Sequence, residues 1–152
     1  MPYLGGERTP HNDAKIRAGF LHLGHATDRA AMVRAVLEGV THALRDSFDA
    51  MALTGTKIDS LIAVGGGSKS DYWLKAIATS LDMPIQLPAA GDFGAALGAA
   101  RLGRMAATGA GAEIAVPPPV SRVIEPDSKL VPAFADAHAR YSDTYRAVKS
   151  LR

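Results

Sequence analysis

The chain has 152 residues, of which 47% are hydrophobic and 21% charged, with a formal net charge of +2. This is the length and composition of one globular domain with its own core. The small charge surplus gives no sign of a nucleic-acid partner. The absence of cysteine excludes disulfides and thiolate metal sites, and it fits a reducing compartment such as the cytoplasm. The sequence has no apolar run of membrane-spanning length and no secretory signal pattern, so we expect no membrane partner.

The first half of the chain is predicted to be a loop followed by a long helix. Residues 1–14 are rich in glycine, proline and polar side chains and predict a loop, and residues 17–23 could form a short strand. From Ala26 to about Ala52, apolar residues recur at helical spacing. Thr27 or Asp28 can cap this helix through its side-chain oxygen.

The second half is predicted to alternate strands with helices. Ser60–Val64 is largely apolar and short, as is typical of a strand buried on both faces of a parallel sheet. Residues 108–127 are predicted to form a loop. Alternation of this kind indicates an α/β fold with a parallel sheet. The other predicted elements are a helix at Tyr72–Leu81, a strand at Pro84–Leu87, a closely packed Ala/Gly-rich helix from Phe93 to about Ala107, and an amphipathic helix at Ala133–Leu151.

The most informative motif is the apolar run that ends in Gly65, Gly66 and Gly67, with Ser68–Asp71 placed to cap the following helix. A turn without side chains lets a ligand approach the backbone, and a helix N-terminus favours phosphate or ribose. A second glycine-rich segment at Gly91–Ala100 suggests a nucleotide held between two walls. Tight strand–helix turns and close helix packing explain the same glycines without a ligand. The spacing matches neither the Rossmann nor the Walker pattern.

The remaining polar residues give weaker signals. In the loop Glu7–Asp13, Asp13 could act as a general base and His11 as a proton shuttle, although the composition favours a solvated loop. The five histidines have no zinc-like spacing, so we expect no metal site. Asp46, Asp49 and Asp59 are interpreted as ordinary solvated positions.

Four motifs in order carry a family resemblance. They are Pro2-Tyr3-Leu4-x-Gly6-Glu7-Arg8-Thr9-Pro10, Arg34–Val40, Gly65–Ser70 and Gly94–Ala100. Together they resemble the C-terminal half of the FGGY family of carbohydrate kinases, closest to its xylulokinase members, over nearly the whole chain. The resemblance implies a ribonuclease-H-like, actin-like ATPase fold. Residues 1–152 would then be an incomplete C-terminal, ATP-binding lobe.

The resemblance also implies a reaction and a site. The reaction is the ATP- and Mg²⁺-dependent phosphorylation of a sugar, here D-xylulose to xylulose 5-phosphate. Gly66, Gly67, Ser68 and Asp71 fall where family members contact adenosine, and Arg17 and His22 fall near the phosphates. Family members usually carry glycine at the position of His22. The resemblance assigns no catalytic residue to this chain, because the family's catalytic aspartate belongs to the N-terminal domain.

We therefore expect a fragment that is inactive alone. Its expected partners are a ketose sugar in the full-length enzyme, its own N-terminal domain and a second copy in a homodimer. The alternatives are a non-catalytic actin-like module, another FGGY sugar kinase (ribulose, glycerol or gluconate type), and an unrelated α/β nucleotide binder. The order of the motifs argues against the last of these.

Overall fold

The computed structural model describes residues 1–89, 91 and 94–151. None of the helices in these residues is long and apolar enough to cross a membrane. The elements in chain order are α1 (Arg29–Leu53), β1 (Leu61–Ile62), a 3-10 turn (Gly66–Lys69), α2 (Asp71–Leu81), β2 (Ile85–Pro88), α3 (Gly94–Thr108), a second 3-10 turn (Ala112–Ile114), β3 (Val120–Ile124) and α4 (Val131–Lys149).

The predicted helices are confirmed, and their caps explain where they begin and end. Asp28 accepts a hydrogen bond from the Ala31 amide at 2.7 Å, so α1 begins one residue later. Ser70 caps α2 in the same way. Asp82 ends α2 in the left-handed conformation, with φ at 50°. The predicted start of α3 at Phe93 lies outside the described residues.

The sheet is mixed, which corrects the prediction of a parallel sheet. β1 pairs with β2 in parallel, and β2 pairs with β3 in antiparallel orientation. β3 lies in residues 108–127, which were predicted to be a loop. The prediction missed it because its residues are largely exposed and Ser121 and Arg122 interrupt any apolar run. Its pairing with β2, distant in the sequence, stabilises it as a strand.

Two further strand predictions are wrong. β1 has only two residues and Ile62 is 54% exposed, so this strand is not buried on both faces. Residues 17–23 form no strand, although they are all described. Their backbone contacts the N-terminus instead, because the amino group of Met1 donates to the Gly19 carbonyl at 3.0 Å. The positive φ of 57° at His22 also interrupts an extended conformation.

The core consists of two apolar clusters. In one, Tyr3 and Ile16 of the N-terminal segment pack against Tyr141 and Tyr145 of α4. In the other, α2 packs its apolar face on the sheet. None of the described residues of α3 is buried, so the close packing predicted from its small residues is wrong for most of its length.

Candidate functional site

The glycine turn connects β1 to α2 and reverses the chain in a few residues. Gly65 has φ at +89°, a conformation that side chains rarely adopt. The carbonyl of Gly65 then accepts hydrogen bonds from the Ser68 amide at 3.1 Å and from the Ser68 hydroxyl at 2.7 Å. The Ser70 amide donates to the Gly67 carbonyl at 3.2 Å. The turn is therefore held by its own backbone and by Ser68.

The three glycines of the turn differ in whether the structure would accept a side chain. A Cβ at Gly67 would lie 2.6 Å from Cζ3 of Trp73, so the indole ring occupies the space that a side chain would need. A Cβ at Gly66 would meet nothing within 4 Å, and its φ is not positive. A Cβ at Gly65 would also meet nothing within 4 Å, but its positive φ disfavours a side chain, so Gly66 is the glycine of the turn where a side chain could be added without strain. The open space at Gly66 is where a ligand could approach the turn.

The N-terminus of α2, which follows the turn in the chain, carries further hydrogen-bond donors. Ser70 satisfies the next amides of the helix, since its hydroxyl accepts from the Trp73 amide at 3.3 Å and its carbonyl from the Leu74 amide at 3.0 Å. The amides of Asp71 and Tyr72 lie in the first turn of α2, where no earlier carbonyl of the helix is in place to accept a hydrogen bond. They point out of the positive end of the helix dipole, as phosphate- or hydroxyl-binding amides do.

Asp71, the first residue of α2, is held by an arginine that the sequence analysis did not single out. Both of its carboxylate oxygens accept from Arg122 of β3, at 3.0 Å from Nη1 and 2.5 Å from Nη2. These hydrogen bonds hold the pKa of the Asp71 carboxyl below its usual value. The two residues are 51 positions apart, so only the strand pairing reveals this contact.

The described residues of the two glycine-rich segments contact each other directly. The Gly65 amide donates to the Gly91 carbonyl at 2.9 Å, and a Cβ at Gly94 would lie 3.0 Å from Val64. Position 94 therefore favours glycine, because α3 approaches the end of β1 closely there. A cavity of about 300 Å³ lies beside this contact, between the sheet and α3. The Asp92 position lies outside the described residues.

Arg17 and His22 lie in a different part of the molecule. The Arg17 guanidinium donates to the carbonyls of Ala14 and Ile16, both at 2.8 Å. His22 lines a cavity of about 470 Å³ between the N-terminal segment, α1 and α4, whereas Gly67 and Ser68 line another of about 420 Å³ between α1, β1 and α2. The structure therefore does not bring the two predicted groups into one cavity. His22 has a left-handed backbone, the conformation that favours glycine there.

The loop Glu7–Asp13 has a structural role in this structure. Asp13 is 7% exposed and accepts hydrogen bonds from the Tyr145 hydroxyl at 3.0 Å and from the amides of Lys15 and Ile16, each at 3.1 Å. His11 stacks on the Tyr145 ring with their centroids 3.7 Å apart. These contacts fasten the loop to α4, so the geometry does not present Asp13 and His11 as a base and a proton shuttle.

Asp46 is not the solvated residue that the sequence suggested. Its side chain is only 10% exposed, and Oδ1 lies 2.6 Å from Nε2 of His138. His11 approaches the other oxygen at 3.9 Å. In the described part of the chain, no group of three or more acidic or histidine side chains could hold a metal ion. Asp46, His138 and His11 thus join α1, α4 and the N-terminal loop.

Comparison with known proteins places this geometry in a family. The family model described as the FGGY family of carbohydrate kinases, C-terminal domain, matches residues 1–107. The chain is 35% identical over 153 residues to the xylulose kinase of Escherichia coli strain K12, covering 99% of this chain and 32% of that protein. The chain therefore spans about a third of the length of this relative.

Solved structures agree in fold. A xylulose kinase from Brucella ovis superposes with a TM-score of 0.89 at 57% identity, over 100% of this chain and 32% of that one. A ligand-bound xylulose kinase from Lactobacillus acidophilus gives a TM-score of 0.80 at 29% identity, over 97% and 30%. The chain belongs to the FGGY family of carbohydrate kinases and matches its C-terminal domain, which confirms the predicted family and the actin-like α/β fold.

Proposed function

We propose that this chain is the ATP-binding lobe of a sugar kinase, and that the glycine turn with the N-terminus of α2 holds the nucleotide. The observation that carries the proposal is the open backbone at Gly66, next to two helix amides without intrahelical acceptors. Gly66, Gly67, Ser68 and Asp71 would line the nucleoside end of this site. Arg17 and His22 lie in the N-terminal segment, away from the glycine turn, and would contact the nucleotide from that segment.

The proposed reaction transfers the γ-phosphate of ATP to a hydroxyl of D-xylulose. The sugar is proposed from the relatives, since seven xylulose kinases are 33–49% identical to this chain over 45–99% of its length. Phosphoryl transfer depends on positioning and on a group that orients the attacking hydroxyl. Asp13 is committed to Tyr145 and to backbone amides, so we propose that the orienting base comes from an N-terminal domain.

We propose that Mg²⁺ binds together with the triphosphate of ATP. Mg²⁺ in such sites is bound through phosphates and one or two carboxylates, rather than by a cage of protein ligands. This chain's contribution is to bind and orient the nucleoside at the turn. Because the reaction consumes ATP, we further propose that the protein acts in the cytoplasm.

The proposal is tested by filling the open space at Gly66. Gly66→Val should fold normally, because its Cβ has no neighbour within 4 Å and its backbone is unstrained. The branched side chain would occupy the space that the ligand needs. We expect Mg·ATP binding, measured by isothermal titration calorimetry, to weaken by about tenfold or more, since overpacking costs about 1–3 kcal/mol.

Gly5→Val is the matched control, because Gly5 also has nothing within 4 Å of its Cβ and lies in the N-terminal segment. It should bind Mg·ATP as the unmodified chain does. Equal Mg·ATP affinity in a folded Gly66→Val variant would show that the glycine turn only connects β1 to α2. Failure of the unmodified chain to bind Mg·ATP would refute the proposed function.

A further inference from the structure

Arg122 of β3 contacts the proposed nucleotide site through Asp71. β3 runs antiparallel to β2, and Arg122 is paired with Leu87, next to the last residue of that strand. β1 and β2 are parallel, so their carboxyl ends lie at the same edge of the sheet. The glycine turn, the N-terminus of α2 and Arg122 therefore converge at the edge where α/β proteins bind their ligands.

The contact between Arg122 and Asp71 has a specific geometry, but it contributes little to the stability of the fold. Two nitrogens of one guanidinium face two oxygens of one carboxylate, which is the fork arrangement that only arginine provides. The side chains are 48% and 66% exposed. An exposed pair of this kind contributes little to folding, so the packing of α2 does not explain the arrangement.

An ionised carboxylate has about four acceptor positions on its two oxygens. Arg122 occupies one on each oxygen, which leaves a second position on each available for further donors. An exposed aspartate without a partner would rotate among several orientations. The guanidinium fork removes this freedom and presents the remaining acceptor positions in one direction. Two adjacent hydroxyl groups, as on the ribose of a nucleoside, are donors that suit such a pair of acceptors.

We propose that Arg122 is a positioning residue for ribose recognition, because its fork fixes the Asp71 carboxylate to accept the ribose hydroxyls of the bound nucleotide. This inference rests on the proposed function, and it adds a residue that neither the sequence motifs nor the family resemblance assigned. Arg122 itself need not touch the nucleotide. Loss of Arg122 should therefore change how strongly the protein prefers ribose over deoxyribose nucleotides, and it should not change the stability of the fold.

The test compares the affinities of ATP, 2′-deoxy-ATP and 3′-deoxy-ATP by calorimetry. We expect the unmodified chain to prefer ATP over at least one deoxy analogue by about tenfold, as hydrogen bonds to charged groups allow. Arg122→Met keeps a long side chain without the fork and should remove most of this preference. Arg122→Lys keeps the charge but lacks the fork, so it should not restore the preference.

The matched control is Arg146→Met on α4, since Arg146 also pairs with an exposed aspartate, Asp143, at 3.0 Å. This variant should retain the full preference for ATP, and all variants should melt at nearly the same temperature. Unchanged preference in Arg122→Met, or its full restoration in Arg122→Lys, would overturn the inference. Either result would leave the proposed function intact if ATP binding still depends on Gly66. Loss of ATP binding in the unmodified chain would refute both.

Discussion

Acid should destabilise this protein through His42, a buried histidine of α1. The residue is 6% exposed, and the rings of Tyr141, His138 and Phe134 surround it with centroids 5.4, 5.8 and 6.2 Å away. Its Nδ1 has no hydrogen-bond partner among the described residues. Burial is the main reason why the pKa of His42 falls to about 4, and the neighbouring charge of His138 adds to the effect.

The sign and size of the effect follow from the difference between the folded and unfolded pKa. In the unfolded chain the pKa of His42 has the ordinary histidine value of 6.5, so the unfolded state binds a proton that the folded state resists. The contribution of neutral His42 is fully present above about pH 6.5 and is lost as the pH falls to about 4. A shift of this size corresponds to about 3 kcal/mol of unfolding free energy.

Urea unfolding at several pH values between 7 and 4 measures this loss, with Trp73, the only tryptophan, as the fluorescent probe. His42→Phe keeps a ring of similar size and removes the titrating group. We expect the unmodified chain to lose about 3 kcal/mol more than this variant across the range. His25→Phe, at an exposed loop position, should follow the unmodified chain. A constant difference in stability between the unmodified chain and His42→Phe at every pH would refute the reasoning.

Two further substitutions test the packing around the site and the N-terminal loop. Gly67→Val should destabilise the fold by about 1–3 kcal/mol and shift the Trp73 emission, because its Cβ would lie 2.6 Å from the indole ring. Unaltered urea unfolding of this variant would contradict the tight contact. Tyr145→Phe should lower the free energy of unfolding by about 1–3 kcal/mol, because buried Asp13 loses a hydroxyl donor at 3.0 Å. Tyr72→Phe, which removes an exposed hydroxyl from Glu38, is its control and should change little; equal losses in the two variants would argue against a special role for the Asp13 contact.

Local features of the sequence determined the helices and the glycine turn. Asp28 and Ser70 cap α1 and α2 through amides three residues away, and helical periodicity involves contacts three or four residues apart. Such interactions are fixed by neighbours in the chain, so they can be predicted without the fold. The strand–turn–helix at Gly65–Gly67 is local in the same sense, and its glycines marked the candidate site.

Only the tertiary structure decided what each of these residues contacts. β3 forms because it pairs with β2 more than thirty residues earlier, and this pairing brings Arg122 to Asp71. The Asp46 side chain is only 10% exposed and lies 2.6 Å from His138, 92 positions later in the chain. Gly67 is required by the Trp73 ring, whereas Gly66 is open. A sequence pattern specifies which backbone a residue can adopt, but the burial and partners of its side chain depend on segments that meet only after folding.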